Sequence, residues 1–183
     1  MKRRVYLGVV IVAVILLAII VSGCSDTFTG TLELTTRETT LEEAASSIGN
    51  TVPVPAYLPA GYEIKEIYFD GSYVRVLISD KGVPKKLVTH TDASGTRQRW
   101  EIECKMLWSV RWSESGAPPV RLPVEKVKLH ENWGFLQDRG DHRALWWNWS
   151  PVPSESGMFE LILAATKRIS KEELVKIAES VKL

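Results

Sequence analysis

The 183-residue sequence has little cysteine, little histidine and almost no excess charge. Its two cysteines are too few for a disulfide scaffold, and its three histidines do not occur at metal-site spacing. The 23 basic and 22 acidic side chains nearly cancel, which argues against a nucleic-acid binder, because no surplus of positive charge can displace counterions from phosphate. The apolar fraction of 45% is ordinary and excludes a disordered chain or a polytopic membrane protein.

Motifs that carry catalysis are also absent. The sequence has no HExxH pattern, no GxSxG nucleophile elbow and no phosphate-binding glycine-rich loop. Glu101 and Glu103 share a strand face, but Arg99 and Lys105 flank them, which favours a solvated sheet face over an acid/base pair. Asp141-His142 falls on a turn and is interpreted as solvated. We therefore expect no catalytic residue, metal or cofactor; the alternative is an envelope-polymer hydrolase that uses a carboxylate pair.

The N-terminus has the pattern of an export signal. Three positive charges in Met1–Arg4 precede an uncharged apolar run over Val5–Val21, and Ser22-Gly23-Cys24 follows directly. This end resembles the lipobox of bacterial lipoproteins, which implies cleavage after residue 23 and a thioether-linked lipid on Cys24. Two or more acyl chains, palmitate among them, give stable anchoring where one chain is marginal. The alternative is an uncleaved transmembrane helix; both predictions place the remaining chain outside the cytoplasmic membrane.

The rest of the chain divides into a short linker and one domain. Residues 24–40 contain many Ser and Thr and no sustained apolar period, so we expect a flexible tether, with an extra edge strand around Thr31–Leu34 as the alternative. Residues 41–183 are long enough for a single hydrophobic core.

Two helices are predicted at the ends of this domain. Thr40 and Ser170 each precede a Glu three residues later in capping-box spacing, and apolar residues follow at helical intervals. Between them the pattern is β. The clearest strand runs from Arg99 to Trp108 with alternate apolar side chains, and others are predicted at 63–69, 72–79, 85–90, 124–130, 133–139, 142–149 and 158–166. The fold class is therefore α+β, with a largely antiparallel curved sheet flanked by an N-terminal and a C-terminal helix.

Tryptophan is the unusual feature of the composition, because all seven tryptophans lie after residue 99. Most are expected in the core, and Trp112 and Trp146 are the candidates for an exposed aromatic binding surface, since such rings supply a large contact area. Cys104 alternates with apolar residues and is expected to be a buried core residue rather than a nucleophile.

Several stretches together resemble an uncharacterised family of envelope lipoproteins. They are the YLPAGY run at 57–62, Leu145-Trp146-Trp147 and the closing helix with EELVKIAES at 172–180. The same order is similar to the small C-terminal domain of MucB/RseB-type regulators of the sigma-E envelope stress response. The resemblance implies a domain of unknown function in the cell envelope and carries over no catalytic residue.

We therefore expect a non-catalytic extracytoplasmic lipoprotein that binds or senses an envelope protein, a lipid or a glycan. It would be attached to the cell membrane through the lipid on Cys24 and would not bind nucleic acid.

Overall fold

A computed structural model describes residues 26–93, 95–113, 124–130, 132–150 and 157–182. The helices are α1 (Leu41–Ile48) and α2 (Lys171–Glu179). The strands are β1 (Phe28–Glu33), β2 (Arg37–Glu38), β3 (Val54–Pro55), β4 (Glu63–Phe69), β5 (Val74–Ser79), β6 (Lys85–Asp92), β7 (Gly95–Cys104), β8 (Met106–Ser113), β9 (Glu125–Leu129), β10 (Asn132–Arg139), β11 (His142–Trp149), β12 (Met158–Thr166) and β13 (Val181–Lys182).

The strands form two main sheets, both antiparallel. The large sheet has eight strands in the order β2-β4-β5-β8-β12-β11-β10-β9, and the small sheet has three in the order β1-β7-β6. A short ladder joins β3 and β13. The α+β prediction with a largely antiparallel sheet and two helices is confirmed.

Both helices begin as their sequences predict. The Thr40 hydroxyl accepts a hydrogen bond from the backbone N–H of Glu43, and the Ser170 hydroxyl accepts one from that of Glu173. These caps satisfy N–H groups that have no partner within the helix. Gly49 then ends α1 in the left-handed conformation, with φ 71°.

The two helices cover the same face of the large sheet. Ala44 of α1 and Leu174 and Ile177 of α2 are buried in one cluster with alternate residues of the central strands, among them Trp108 and Leu145. This face forms the main hydrophobic core. Of the described residues, those of the small sheet cover part of the opposite face, through a second cluster that includes Phe28, Leu32, Ile102 and Cys104.

Residues 28–40 are not a flexible tether. Phe28–Glu33 forms β1, which pairs along its whole length with β7, and Phe28 and Leu32 are buried. Residues 28–33 alternate between buried and exposed positions, as in a strand with one covered face. The alternation of Thr with apolar residues suits this pattern, because the apolar side chains lie on the covered face. The alternative placed an edge strand around Thr31–Leu34; the structure has such a strand, but it runs from Phe28 to Glu33 and leaves Leu34 exposed outside it.

The predicted strand Arg99–Trp108 is divided between two sheets. β7 ends at Cys104 and β8 begins at Met106, so the chain leaves the small sheet for the large one at Lys105. Cys104, Lys105 and Met106 are all buried, which breaks the strict alternation. The Lys105 ammonium is 2.8 Å from an Asp80 carboxylate oxygen, which compensates its charge.

Local hydrogen bonds shape two of the turns. The β4–β5 connection spans Asp70–Tyr73, and the Asp70 side chain accepts hydrogen bonds from the N–H groups of Ser72 and Tyr73. In the YLPAGY run, the Tyr62 N–H donates to the Pro59 carbonyl and Gly61 has φ 84°, so the turn begins at Pro59.

The far end of the β6–β7 hairpin extends beyond the rest of the molecule. The pairing of β1 with β7 ends at the pair Glu33–Arg99. Beyond that point, residues 89–92 pair with residues 95–98 as a ribbon that has no third strand in the described part of the chain.

Candidate functional site

The open part of the large sheet carries a transverse row of side chains beside β1. Trp146, Ile162, Ser109 and Arg75 are direct cross-strand neighbours on β11, β12, β8 and β5, so their side chains share one face. Two residues further along the same strands, Ala144, Ala164, Leu107 and Leu77 form the next row, which lies beneath the small sheet. The boundary between the covered row and the open row defines a groove.

The groove is a cleft of about 360 Å³ between β1 and the large sheet. The floor is formed by Trp146, Ile162 and their neighbours, and one wall by four consecutive residues of β1, 28–31. Because alternate side chains of a strand point to opposite faces, a wall of consecutive residues means that the strand borders the groove with its edge. Gly30 allows the Ile102 side chain of β7 to lie close to the backbone of β1, since a Cβ at residue 30 would lie 3.1 Å from Ile102 Cγ1.

A histidine and an arginine stand at the Phe28 end of this groove. The imidazole of His142 stacks on the ring of Phe28 with 4.7 Å between ring centroids, and its Nδ1 is 2.7 Å from Asp141 Oδ1. This hydrogen bond from His142 lowers the pKa of the Asp141 carboxyl. An ionised carboxylate only accepts, so Nδ1–H is the donor; Nε2 has no hydrogen-bond partner among the described residues.

Arg139 supplies the positive charge of the groove. It is the cross-strand neighbour of His142, its Nε donates to Gln137 Oε1 at 2.5 Å, and its guanidinium carbon is 5.9 Å from the centre of the Trp146 ring. In the part of the chain that the structure describes, no carboxylate lies within ion-pair distance of this exposed guanidinium. By contrast, the Asp70 carboxylate, 3.2 Å from Arg75, compensates that arginine.

The two tryptophans proposed as an exposed surface lie on opposite faces of the large sheet. Trp146 is only 6% exposed, yet it forms part of the groove floor. Trp112 is half-buried on the helix-covered face, edge-to-face with Phe159 at 4.8 Å. The prediction that Trp146 is exposed was therefore wrong; the Arg139 guanidinium lies over its ring, with the central carbon 5.9 Å from the ring centre.

Trp133 is the most exposed of the described large apolar residues, at 55%. It lies on β10, the second strand from the sheet edge, and the Lys128 ammonium is 5.1 Å from its ring centre. Sequence reasoning also missed Arg139 and His142 as groove residues. A signal for His142 was present, since His142, Ala144 and Trp146 alternate along one strand and so share a face.

The described residues bring no three His, Cys, Asp or Glu side chains together as a metal-binding group. Neither described helix has the length and apolar character needed to cross a bilayer. No family model, curated protein or solved structure matches the chain, so the resemblance to envelope lipoproteins stays a prediction.

Cys104 is buried as expected, and burial raises the pKa of its thiol from 9.0 to about 12. Only the thiolate reacts with alkylating agents, so at pH 8 the thiolate fraction falls about a thousandfold. In a Cys24→Ala chain we expect Cys104 to resist iodoacetamide in the native state and to react fully in urea, as measured by mass spectrometry. Rapid alkylation of the native chain would contradict this placement.

Proposed function

We propose that this chain is a lipid-anchored extracytoplasmic protein that binds a ligand, without catalysis, in the groove between β1 and the large sheet. The observation that carries the proposal is the composition of that groove. Among the described residues, it joins a strand edge with no strand partner, an apolar aromatic floor and an arginine with no acidic partner. Such a mixture of apolar area and a few polar groups is typical of binding sites.

The anchor is supported by the sequence of residues 1–24, which lie outside the described residues. The start of β1 limits how far the folded domain can lie from Cys24. β1 begins at Phe28, four residues after Cys24, and an extended chain advances at most about 3.6 Å per residue. The Cα atoms of Cys24 and Phe28 are then at most about 14 Å apart. A lipid on Cys24 would hold the Phe28 end of the groove close to the membrane surface.

The absence of catalysis is part of the same proposal. The described residues that line the groove include no carboxylate, so they do not supply the carboxylate pair of the hydrolase alternative there. Of the two sequence candidates for such a pair, Glu101 lies 3.8 Å from Arg99 in an ion pair, and Glu103 is exposed beside it on β7. No observation favours the hydrolase.

The anchor is tested by metabolic labelling with an alkyne analogue of palmitate in bacterial cells. The wild-type chain is expected to carry the label in the membrane fraction, and Cys24→Ala is expected to lose it completely because its thioether cannot form. Cys104→Ala is the matched control, since its thiol is buried, and should keep the full label.

An unlabelled wild-type chain with residues 1–23 still attached would overturn the lipid anchor in favour of the transmembrane alternative. Intact mass spectrometry of the purified chain separates the two.

A further inference from the structure

The groove has an unpaired strand edge as one of its walls. β1 stands at the end of the small sheet and pairs only with β7, so its other edge has no strand partner among the described residues. Every second backbone N–H and C=O of a strand points to each edge, so about half of these groups in β1 face the groove. Such an edge is a template for another strand.

The floor is placed where a strand added to β1 would lie. β1 crosses the strands of the large sheet, because Phe28 stacks on His142 of β11 while Leu32 and Tyr68 of β4 line the same small cavity. β1 covers the row of Ala144 and Ala164, and the open row of Trp146 and Ile162 is two residues away, about 6.6 Å. Paired strands are about 4.8 Å apart, so an added strand would lie over the open row.

The dimensions set the length of the segment. The open row spans four strands, from Trp146 on β11 to Arg75 on β5, which is about 14 Å at the usual strand spacing. An extended chain covers that distance with about five residues at about 3.3 Å each.

The charge of the groove favours an acidic side chain at one end. Arg139 lies beside Trp146 at the Phe28 end and has no carboxylate within ion-pair distance among the described residues. Arg75, at the other end, is already paired with Asp70. A carboxylate on the bound segment would give Arg139 a charge-assisted hydrogen bond.

An acyl chain would fit this groove less well than an extended polypeptide. It would cover Trp146 and Ile162 but would leave the polar edge of β1 without hydrogen-bond partners, which is costly once water is excluded. An extended polypeptide supplies both partners at once, since its backbone pairs with β1 and its alternate side chains rest on the floor.

From this geometry we infer that the groove binds an extended segment of about five residues from another protein, which pairs with the free edge of β1. Its apolar side chains contact Trp146 and Ile162, and an acidic side chain contacts Arg139. This inference rests on the proposed function in taking the groove as the binding site, and it does not depend on the lipid anchor.

The test uses the full chain in phosphatidylcholine nanodiscs and a fluorescent probe, the peptide Asp-Leu-Thr-Leu-Thr-Leu-Asp. Acidic residues at both ends allow either strand direction. Two N-methylated variants of the peptide are compared: one carries N-methyl groups on the three leucines and the other on the two threonines, so each lacks most of the N–H donors of one edge. Strand addition predicts that one variant binds and the other does not; equal binding of the two variants would overturn the inference.

Hydrogen exchange, read at single residues by mass spectrometry, gives a second measure. On binding, alternate amides of Phe28–Glu33 should gain protection while their neighbours, already paired with β7, do not change. Arg139→Gln should weaken the acidic peptide about tenfold and leave the version with Asn at both ends unchanged. The matched control is Arg97→Gln, on the exposed hairpin ribbon away from the groove, which should leave both affinities unchanged.

Lysophosphatidylglycerol monomers, added without peptide, test the competing ligand. If they bind in an Arg139-dependent manner while the peptide does not, the groove is a binding site for anionic amphiphiles and the peptide inference is wrong. In that case the proposed function survives. Loss of palmitate labelling with intact peptide binding has the opposite meaning, because it removes only the anchor.

Discussion

Trp108→Ala is expected to lower the free energy of unfolding by about 3–5 kcal/mol, a large part of the total stability of an ordinary domain. The Trp108 side chain is fully buried beneath the helices, 5.4 Å from the Trp147 ring centre. Its indole N–H also donates to the Pro53 carbonyl at 2.9 Å. The substitution therefore removes apolar contacts, opens a cavity and leaves a buried carbonyl without its donor.

Two companion variants separate these causes. Trp108→Phe keeps most of the ring volume but not the N–H, so a smaller loss of about 1–3 kcal/mol is expected. Trp133→Ala removes the same side chain from an exposed position and should change stability by less than about 1 kcal/mol. Urea unfolding of the full chain in mild detergent, followed by far-UV circular dichroism, measures all three. A Trp108→Ala chain as stable as wild type would contradict the assignment of this residue to the core.

Leu32→Ala is expected to cost about 2–5 kcal/mol by the same measurement. Leu32 is 1% exposed in the cluster between the two sheets, although it lies in a stretch rich in Ser and Thr. Leu34→Ala is the control, because Leu34 is two residues away and 48% exposed, so its removal should cost less than about 0.5 kcal/mol. A flexible tether would make both substitutions neutral, and that result would remove β1 from the folded domain.

Much of the fold could be predicted because local patterns decide it. The capping residues Thr40 and Ser170 fixed where the helices begin, and the Gly140-Asp141 turn set the pairing of β10 with β11. Strand β11 was predicted with its observed ends. The turn residues Gly140 and Asp141 mark its beginning. In each case the signal lies within a few residues of the element that it defines.

The groove could not be predicted, because it depends on contacts between distant parts of the chain. Phe28 and His142 are more than a hundred residues apart, and nothing near either residue indicates the stacking of their rings. The passage of the chain from one sheet to the other at Lys105 could not be predicted either, because it also depends on contacts between distant parts of the chain. The run from Trp100 to Trp108 alternates well enough for one strand, and only the packing of two layers divides it.

The ribbon at the far end of the β6–β7 hairpin has a mechanical consequence. A two-stranded ribbon in water has little stability of its own, and among the described residues β1 supports this hairpin only from the row Glu33–Arg99–Val88 inward. A molecule bound to this ribbon would exert a force on β7. Because Ile102 of β7 lies against Gly30 of β1, a displacement of β7 would move the wall of the groove and change its width.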